Sequence, residues 1–332
     1  MPVSSITRSA APDVRAAQPR QEIYDLYWIF AAKRQDAFCR RAAGEPAPWS
    51  DDPILQVYKF CNTYRAADRV SQYLIRDVIY GGPPVDPVDK LFQIILFRLF
   101  SKIETWQALT AALGNPPILD HLASGALEKA LSDLKASKAV IYTSAFILCA
   151  NDAYGQGIKF RNHLALMRNM FFESRIAPRV FDIGSLQSLV ALLQGFPLIG
   201  PFMSYQIAVD INYSELVDFS EDDFTQAGPG CLRGIEKAFS DTGSQSPAAI
   251  VMQMVERQED EFKRLDLGFK GLWGRPLHAI DCQGLFCELD KYCREAAPHL
   301  VSARSRIKAR FAPQAQPIHY FFPPKWGLNP AQ

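Results

Sequence analysis

The chain has 332 residues, of which 48% are hydrophobic and 21% are charged, and its formal net charge is +1. This composition can bury a large core, so it excludes an intrinsically disordered protein, and the length suits one large domain or two lobes that share a core. The near-zero net charge excludes a histone-like polybasic protein. It does not exclude an enzyme that acts on DNA, because charge can be distributed unevenly along a chain.

The sequence carries no segment that predicts membrane insertion or secretion. No stretch reaches the ~18 uninterrupted apolar residues of a membrane span, and the N-terminal residues lack the apolar core of a signal peptide. The seven cysteines are an odd number scattered along the chain, which favours reduced thiols. We therefore expect an intracellular protein that does not enter a membrane.

Charge is in fact unevenly distributed. From Lys291 to Gln332 there are seven Lys and Arg residues and a single acid, Glu295, whereas residues 215–223 contain five acids and no base. A basic tail and an acidic loop suggest an anion-binding surface next to a carboxylate-rich site. Solvated surface charge that happens to cluster is the alternative.

Helical periodicity dominates the chain after a tail predicted at residues 1–20. A first helix runs from about Ile23 to the Gly- and Pro-containing stretch Ala42–Pro48. Further helices are predicted at Leu91–Phe100, Leu122–Lys138, Lys159–Phe172, Leu186–Leu193, Pro201–Ile211 and Arg275–Glu295. Ala139–Ile147 is an ambiguous run that a strand would also suit.

The second helix has a clear predicted start. Asp51 or Asp52 can act as its N-cap, with Pro53 at the first helical position. The apolar pattern continues the helix through Cys61 and on to Val78. The fold class is therefore predicted to be all-α, with a helical domain at 21–312, divided into two lobes, and a proline-rich extension at 313–332 that wraps the surface.

The first candidate site lies on this second helix. At 100° per residue, Asn62, Arg65 and Arg69 fall within one arc of about 60°, and Asp68 lies one turn from Arg65. Two guanidinium groups oriented by a carboxylate suit phosphate oxygens. A surface or interlobe salt-bridge network is the alternative.

The second candidate is the pair of short helices across Leu193–Ile211. A helix, a Gly/Pro hairpin and a second helix resemble a helix–hairpin–helix motif, in which Gly195 and Gly200 would let backbone N–H groups approach a DNA phosphate. Leu198 stands where such a hairpin usually has its first glycine, and a side chain there obstructs that approach. An ordinary helix–helix turn is the alternative.

The third candidate is a group of carboxylates and glycines. Gln206 and Asp210 lie one turn apart on the second helix of the hairpin, and Asp218 follows in the acidic loop. Gly228-Pro229-Gly230, with Arg233 just beyond, suits a phosphate or pyrophosphate cradle. The same three residues also suit a simple turn.

The fourth candidate is the segment Cys282–Arg294. Glu288 and Lys291 stand three residues apart on a helix, so a plain surface ion pair is available to them. The cysteine spacing and the five histidines do not form a zinc or iron–sulfur pattern. The sequence also lacks the phosphate-binding motif of P-loop kinases, the G-x-S-x-G elbow and the G-x-G-x-x-G fingerprint.

Taken in order, several segments resemble one family over roughly Glu22 to Leu300. These segments are Trp49–Leu55, Phe60–Arg65, Asp68–Ile75, Gln206 with Asp210, Ala227–Gly230 and Cys287–Tyr292. The chain is similar to the alpha-glutamyl/putrescinyl thymine pyrophosphorylases, also described as amino acid:DNA transferases. That family is related to the helical domain attached to hydroxymethyluracil DNA kinases.

The resemblance implies a DNA-glycosylase-like, helix–hairpin–helix fold and a role in thymine hypermodification. In the family's proposed chemistry, a separate kinase converts 5-hydroxymethyluracil in DNA to a pyrophosphate ester, and the transferase replaces pyrophosphate with an amine such as an amino acid or putrescine. DNA, an amine co-substrate and a separate DNA kinase are thus the implied partners, and the implied location is the nucleoid, or the host cell of a phage. No cofactor is implied with certainty, and assistance by a divalent metal is left open.

Site roles follow from that chemistry as expectations. Arg65, Arg69 and Arg233, with Lys291, would neutralise the leaving pyrophosphate. Asp210, or else Asp68, would take the proton of the incoming ammonium group. Asn62 and Gln206 would read the edge of a base flipped out of the duplex.

Two other functions remain open from the sequence. In a DNA glycosylase that acts on a modified pyrimidine, the catalytic aspartate follows the hairpin by about twenty residues, which would point to Asp218. A non-catalytic module that binds modified DNA, with a partner that supplies the kinase, is the third reading. An abasic product would indicate the glycosylase, and a gain in base mass would indicate the transferase. Binding without turnover would indicate the non-catalytic module.

Overall fold

The computed structural model describes residues 15–143, 152–300, 304–313 and 319–329, and helices dominate these ranges. The α-helices of this part of the chain are α1 (Gln21–Ala42), α2 (Pro53–Val57), α3 (Arg69–Tyr73), α4 (Pro87–Phe100), α5 (Ile103–Leu113), α6 (Leu119–Ala123), α7 (Ala126–Ala136), α8 (Lys159–Arg168), α9 (Ile176–Phe181), α10 (Leu186–Gln194), α11 (Pro201–Asn212), α12 (Pro229–Ala238), α13 (Pro247–Arg264) and α14 (Ala279–Ala296). Short π-helical turns extend α3 at Leu74–Ile79 and α8 at Asn169–Glu173. The prediction of a mostly helical fold is confirmed.

A two-stranded antiparallel sheet joins the start of the described chain to its second half. Strand β1 (Gln18–Pro19) pairs with β2 (Phe239–Asp241). The Arg20 side chain donates to the carbonyl oxygens of Glu236 and Phe239 at the end of α12. These contacts hold the beginning of α1 against α12. Of the predicted tail, residues 1–14 lie outside the described part of the chain.

Helix α14 lies at the centre of the half of the fold that contains both α1 and α12. It packs along α12 and contacts α1, α2 and α13, while α11 packs between α10 and α4 in the other half. Apolar side chains from both halves belong to one continuous buried cluster. Helix α4 is buried over its last ten residues, as its apolar sequence predicts.

The second predicted helix starts where expected and ends early. Asp52 caps α2 by accepting the backbone N–H groups of Ile54 and Leu55, but α2 ends at Val57 and only a single 3₁₀ turn, Arg65–Ala67, precedes α3. The prediction of one continuous helix through residues 58–68 is therefore wrong. The apolar periodicity there reflects burial of Tyr64 and its neighbours in an irregular segment.

Smaller differences have local causes. The predicted helix Leu122–Lys138 is split into α6 and α7 because Gly125 adopts a left-handed conformation with φ of +81°. The last predicted helix begins at Ala279 rather than Arg275, since Leu272 and Arg275 form a tight turn before it. In the ambiguous run, residues 139–143 form neither helix nor strand, and residues 144–147 lie outside the described ranges.

The described part of the C-terminal extension packs onto the helices. Phe322 is 1% exposed, the backbone of Phe321 exchanges two hydrogen bonds with the Gln72 side chain, and Lys325 donates to the carbonyl oxygens of Ser214 and Val217 beyond α11. Among the described helices, none has both the length and the apolar character needed to cross a membrane.

Candidate functional site

Two polar centres emerge from the predicted residues, and the first is a buried ion-pair cluster on α11. The Asp210 carboxylate is fully buried and accepts from Nη2 of Arg65 at 2.8 Å and from Nη2 of Arg98 at 2.9 Å. The Nε of Arg98 also donates to this carboxylate. Nε of Arg65 donates to Oε1 of Gln206 at 3.0 Å. The structure thus brings together Arg65, Gln206 and Asp210 from distant parts of the sequence.

The protonation of this cluster follows from its charges. Burial disfavours the charge of Arg65, but Asp210 and the Tyr213 hydroxyl more than offset this, and the pKa of Arg65 is raised. Burial lowers the pKa of Arg98, and the neighbouring charge of Arg65 acts in the same direction against the attraction of Asp210. One carboxylate is therefore shared by two guanidinium groups in the core, so the three side chains together keep a net positive charge. The cluster links α4, α11 and the turn that precedes α3.

Arg69 does not join the cluster. Its side chain is 59% exposed and lies 3.6 Å from Glu104 on α5. The predicted arc of Asn62, Arg65 and Arg69 is wrong because no α-helix spans residues 62–68, where only Arg65–Ala67 form a 3₁₀ turn. Arg65 points to the core, whereas Arg69 points to the surface.

The second centre is a groove of about 400 Å³ between α1 and the segment that follows α2. A volume of this size lies in the range of small-molecule sites. Its wall contains five aromatic side chains, two arginines, a cysteine and an asparagine: Phe38, Trp49, Tyr58, Phe60, Phe311, Arg34, Arg41, Cys61 and Asn62. The Arg41 guanidinium lies 5.1 Å from the centre of the Trp49 ring. The groove thus combines flat ring surfaces with positive charge.

Arg34 holds the floor of this groove in place. It is 5% exposed, and its Nη1 donates to the carbonyl oxygens of Cys61 at 2.7 Å and Asn62 at 3.4 Å. Its Nε and Nη2 have no hydrogen-bond partner among the described residues. Arg34 was not among the residues predicted from the sequence, although an arginine four residues from both Phe30 and Phe38 on the apolar face of α1 was a signal for it.

Carboxylates lie behind the Cys61–Asn62 backbone. Oδ1 of Asp68 accepts the N–H of Asn62 at 2.7 Å, and Oε2 of Glu288 on α14 accepts the N–H of Cys61 at 3.1 Å. Nζ of Lys291 lies 3.0 Å from Glu288 and 4.4 Å from the centre of the Phe60 ring. Four predicted site residues, Asn62, Asp68, Glu288 and Lys291, therefore meet around this backbone.

Burial controls the protonation of this second centre. It raises the pKa of Asp68 to about 6, with a further contribution from Glu288, while the N–H of Asn62 and the charge of Arg34 act in the opposite direction. The Asp68 carboxylate, together with burial, holds the pKa of the Cys61 thiol well above its usual value. At neutral pH the site therefore offers a carboxylate of increased basicity and a protonated thiol.

The Gly-Pro-Gly segment begins α12, and its glycines have packing roles. A Cβ atom on Gly228 would stand 2.5 Å from the Phe202 ring, and one on Gly230 would stand 2.3 Å from Sγ of Cys287. Nε of Arg233 lies 3.0 Å from Oδ2 of Asp290, which also accepts from Arg294. Gly230 and Arg233 thus serve the contact of α12 with α14, and Gly228 serves its contact with α11. A phosphate cradle at this place stays a prediction.

A short turn joins α10 to α11 at the place of the predicted hairpin, and its assignment as a helix–hairpin–helix motif stays a prediction. Gly195 follows α10, Gly200 is the N-cap residue of α11, and Leu198 between them adopts a left-handed backbone with φ of +72°. The backbone thus has, at Leu198, the conformation that glycine usually supplies. Binding of DNA by Gly195 and Gly200 stays a prediction.

Asp218 lies at the surface. Its side chain is 86% exposed and stands 3.2 Å from Nζ of Lys325 in the C-terminal segment. Within the described ranges, no group of three His, Cys, Asp or Glu side chains is arranged to hold a metal ion.

Fold and site together define a helical protein with an aromatic, cationic groove beside two carboxylates. The chain belongs to the family described as the helical domain of 5-hmdU DNA kinase, whose model matches residues 21–302. It is 28% identical over 298 residues to a 5-hmdU DNA kinase of Bacillus phage SP10, and this match covers 84% of the chain. The match covers 46% of the phage protein, so the chain spans about half the length of that relative. No solved structure matches.

Proposed function

We propose that the chain is a DNA base-modifying transferase. It would replace the pyrophosphate of a 5-pyrophosphoryloxymethyluracil in DNA with an amine, either an amino acid or a polyamine. The observation that carries the proposal is the groove, which offers aromatic surfaces, arginines and an asparagine next to a carboxylate of raised pKa. Membership of the helical-domain family, and a relative named as a 5-hmdU DNA kinase, support the choice of substrate.

The groove suits a base that has left the duplex. Enzymes that react at a base flip it into a pocket, and aromatic rings such as those of Trp49 and Phe60 are the surfaces on which bases stack. The amide nitrogen of Asn62 donates to the carbonyl oxygen of Ala67 at 2.8 Å, which fixes the orientation of this side chain. An amide offers both a donor and an acceptor to the edge of a uracil.

The reaction needs a base for the incoming amine. In the proposed step, the amine nitrogen forms a bond to the methylene carbon on C5 of the base, the bond from that carbon to pyrophosphate breaks, and one ammonium proton must be removed. Asp68 suits this proton transfer because its pKa of about 6 leaves it ionised yet basic at neutral pH. Asp210 is a less suitable base, since its buried carboxylate is already bonded to two guanidinium groups.

The leaving pyrophosphate needs positive charge. Arg65 and Arg233 are paired with Asp210 and Asp290, and Arg69 lies on the far side of the turn beside Glu104. Arg34 and Arg41 line the groove, and Lys291 contacts the Phe60 ring in its wall. We therefore propose that Arg41 neutralises the pyrophosphate, assisted by Lys291, which also pairs with Glu288. Arg34 would position the backbone of residues 61–62.

Nucleoside mass spectrometry tests this function. DNA that contains 5-pyrophosphoryloxymethyluracil is incubated with the protein and a mixture of amino acids and polyamines, and we expect a new thymidine adduct with release of pyrophosphate. Arg41→Gln should lower the rate by about tenfold to 100-fold, since a cation at the leaving group is lost. Arg161→Gln is the matched control, because Arg161 pairs with Glu128 at a partly exposed position away from the groove wall, and its rate should stay within about twofold.

Two outcomes would contradict the proposal. An abasic product would identify a DNA glycosylase, and stoichiometric binding of intact modified DNA without turnover would identify a binding module.

A further inference from the structure

A basic segment runs beside the groove. The backbone N–H of Lys59 donates to the carbonyl oxygen of Ala309 at 3.0 Å, and the N–H of Phe311 donates to that of Val57 at 3.0 Å. Tyr58 and Arg310 form an antiparallel bridge between these bonds. The pairing fixes the position of residues 304–311 on the segment that leads into the groove, and Phe311 thereby becomes part of the groove wall.

Every second residue of this segment is basic. Arg304, Arg306, Lys308 and Arg310 alternate with Ser305, Ile307 and Ala309. Ile307 is 8% exposed, while Arg306 and Lys308 on either side of it are exposed. Side chains two residues apart in an extended chain lie on one side, about 6.8 Å apart. Arg306, Lys308 and Arg310 therefore form a row on the solvent side of the segment, and these three residues are the row considered below.

The row is poor in compensating acids. Within the described ranges, Arg306, Lys308 and Arg310 form no ion pair with Asp or Glu, and the Arg310 guanidinium instead lies 5.1 Å from the centre of the Tyr58 ring. Glu295 at the end of α14 interacts with the Tyr58 hydroxyl and raises its pKa. Arg294 uses its Nη1 to hold the carbonyl oxygen of Arg306. The row thus presents its charge to solvent while its backbone is fixed.

We propose that Arg306, Lys308 and Arg310 bind consecutive phosphates of one DNA strand and guide that strand to the groove. A row of cations that ends at aromatic rings is the arrangement by which proteins hold a single strand, with the cations on the backbone and the rings on the bases. The spacing of the row is similar to that of successive phosphates in an extended strand. The choice of DNA as the partner rests on the proposed function.

Binding of a fluorescein-labelled, thymine-containing single strand tests this surface. The variant R306Q/K308Q/R310Q removes three positive charges, and we expect its affinity at moderate salt to fall at least about tenfold, because three counterion-releasing contacts are lost. The slope of log K against log salt should decrease by about 2, at about 0.7 for each phosphate contact on a single strand. Circular dichroism and thermal unfolding should match the unmodified protein, since the substituted side chains are exposed.

The matched control is K135Q/R179Q/K263Q, which removes the same charge from exposed positions on α7, α9 and α13. It should keep both the affinity and the salt slope. Equal loss in both variants would overturn the proposal, since binding would then depend on net charge alone, and so would unchanged binding in the first variant. Amine transfer is measured separately: normal strand-dependent binding without transfer would refute the proposed function and leave the phosphate row standing.

Discussion

At the scale of single residues, the raised pKa of Asp68 has consequences for stability as well as chemistry. Burial also raises the pKa of Asp281 to about 6. The Asp281 carboxylate accepts the backbone N–H of Arg65. An unfolded aspartate has a pKa of about 3.9, so the native state binds more protons than the unfolded state between these values. These two groups therefore make the free energy of unfolding rise as the pH falls from about 7 towards 5.

We predict that Asp68 determines the acid limb of the pH profile of amine transfer. The rate should fall as the pH decreases through about 6, since protonation removes the base. Asp68→Asn should lower the rate by about 10²- to 10⁴-fold and abolish that limb, while its folding at neutral pH is preserved because the buried charge is removed. The measurement is the initial rate of adduct formation across a pH series.

Asp281→Asn is the control for this prediction, because burial raises the pKa of Asp281 to about 6 as well, but its carboxylate accepts the N–H of Arg65 and not that of Asn62 in the groove wall. It should retain the acid limb. If the limb persists in the Asp68 variant and disappears in the Asp281 variant, Asp68 is not the base.

At the scale of elements, the sequence predicts helix ends well where capping or helix-breaking residues mark them. The Asp52–Pro53 start, the Pro201 start and the end of α1 before Gly44 were all readable from capping and helix-breaking residues. Helix α13 carries the same kind of start, Ser246 before Pro247, and it was nevertheless not among the predicted helices.

The failure at residues 58–68 has a tertiary cause. The backbone N–H groups of Cys61, Asn62 and Arg65 donate to the side chains of Glu288, Asp68 and Asp281 instead of to a preceding helical turn. Two of these acceptors lie on α14, more than 200 residues away in sequence, so periodicity near residue 60 carries no sign of them. Asn62 in the groove wall, and Asp68, Glu288 and Lys291 behind it, were predicted from the sequence. The other wall residues were not, because the shape of this segment depends on the long-range contact with α14.

The contact between α12 and α14 depends on a glycine. A Cβ atom on Gly234 would stand 2.0 Å from the carbonyl oxygen of Phe286, which is backbone of α14 and cannot move aside. We predict that Gly234→Ala lowers the free energy of unfolding by about 1–3 kcal/mol through overpacking. Urea denaturation measures this change.

Gly284→Ala on α14 is the matched control, because nothing lies within 4 Å of its added Cβ. There the higher helix propensity of alanine should leave stability unchanged or raise it by up to about 1 kcal/mol. Equal effects in the two variants would show that the helices are not in close contact at Gly234.

At the scale of the whole molecule, the fold places a charged cluster where the two halves of the chain must be joined. Arg98 comes from α4, Asp210 from α11 and Arg65 from the turn before α3, and the backbone N–H of Arg65 is in turn bonded to Asp281 on α14. The candidate groove lies a few residues before Arg65 in the same segment. The cluster therefore fixes, through the backbone of residues 61–65, the segment that forms the groove wall.

We therefore predict that the main effect of substituting Asp210 is a lower free energy of unfolding. Asp210→Asn leaves two buried guanidinium groups without their counterion, and removal of one partner from such a pair costs about 3–5 kcal/mol, a large part of the ~5–15 kcal/mol of a typical domain. Chemical denaturation should show this loss, whereas Asp218→Asn, whose side chain is 86% exposed, should change stability by less than about 0.5 kcal/mol. An Asp210→Asn protein of normal stability that no longer transfers amine would instead assign Asp210 to the chemical step, and would move the reacting base from the groove to α11.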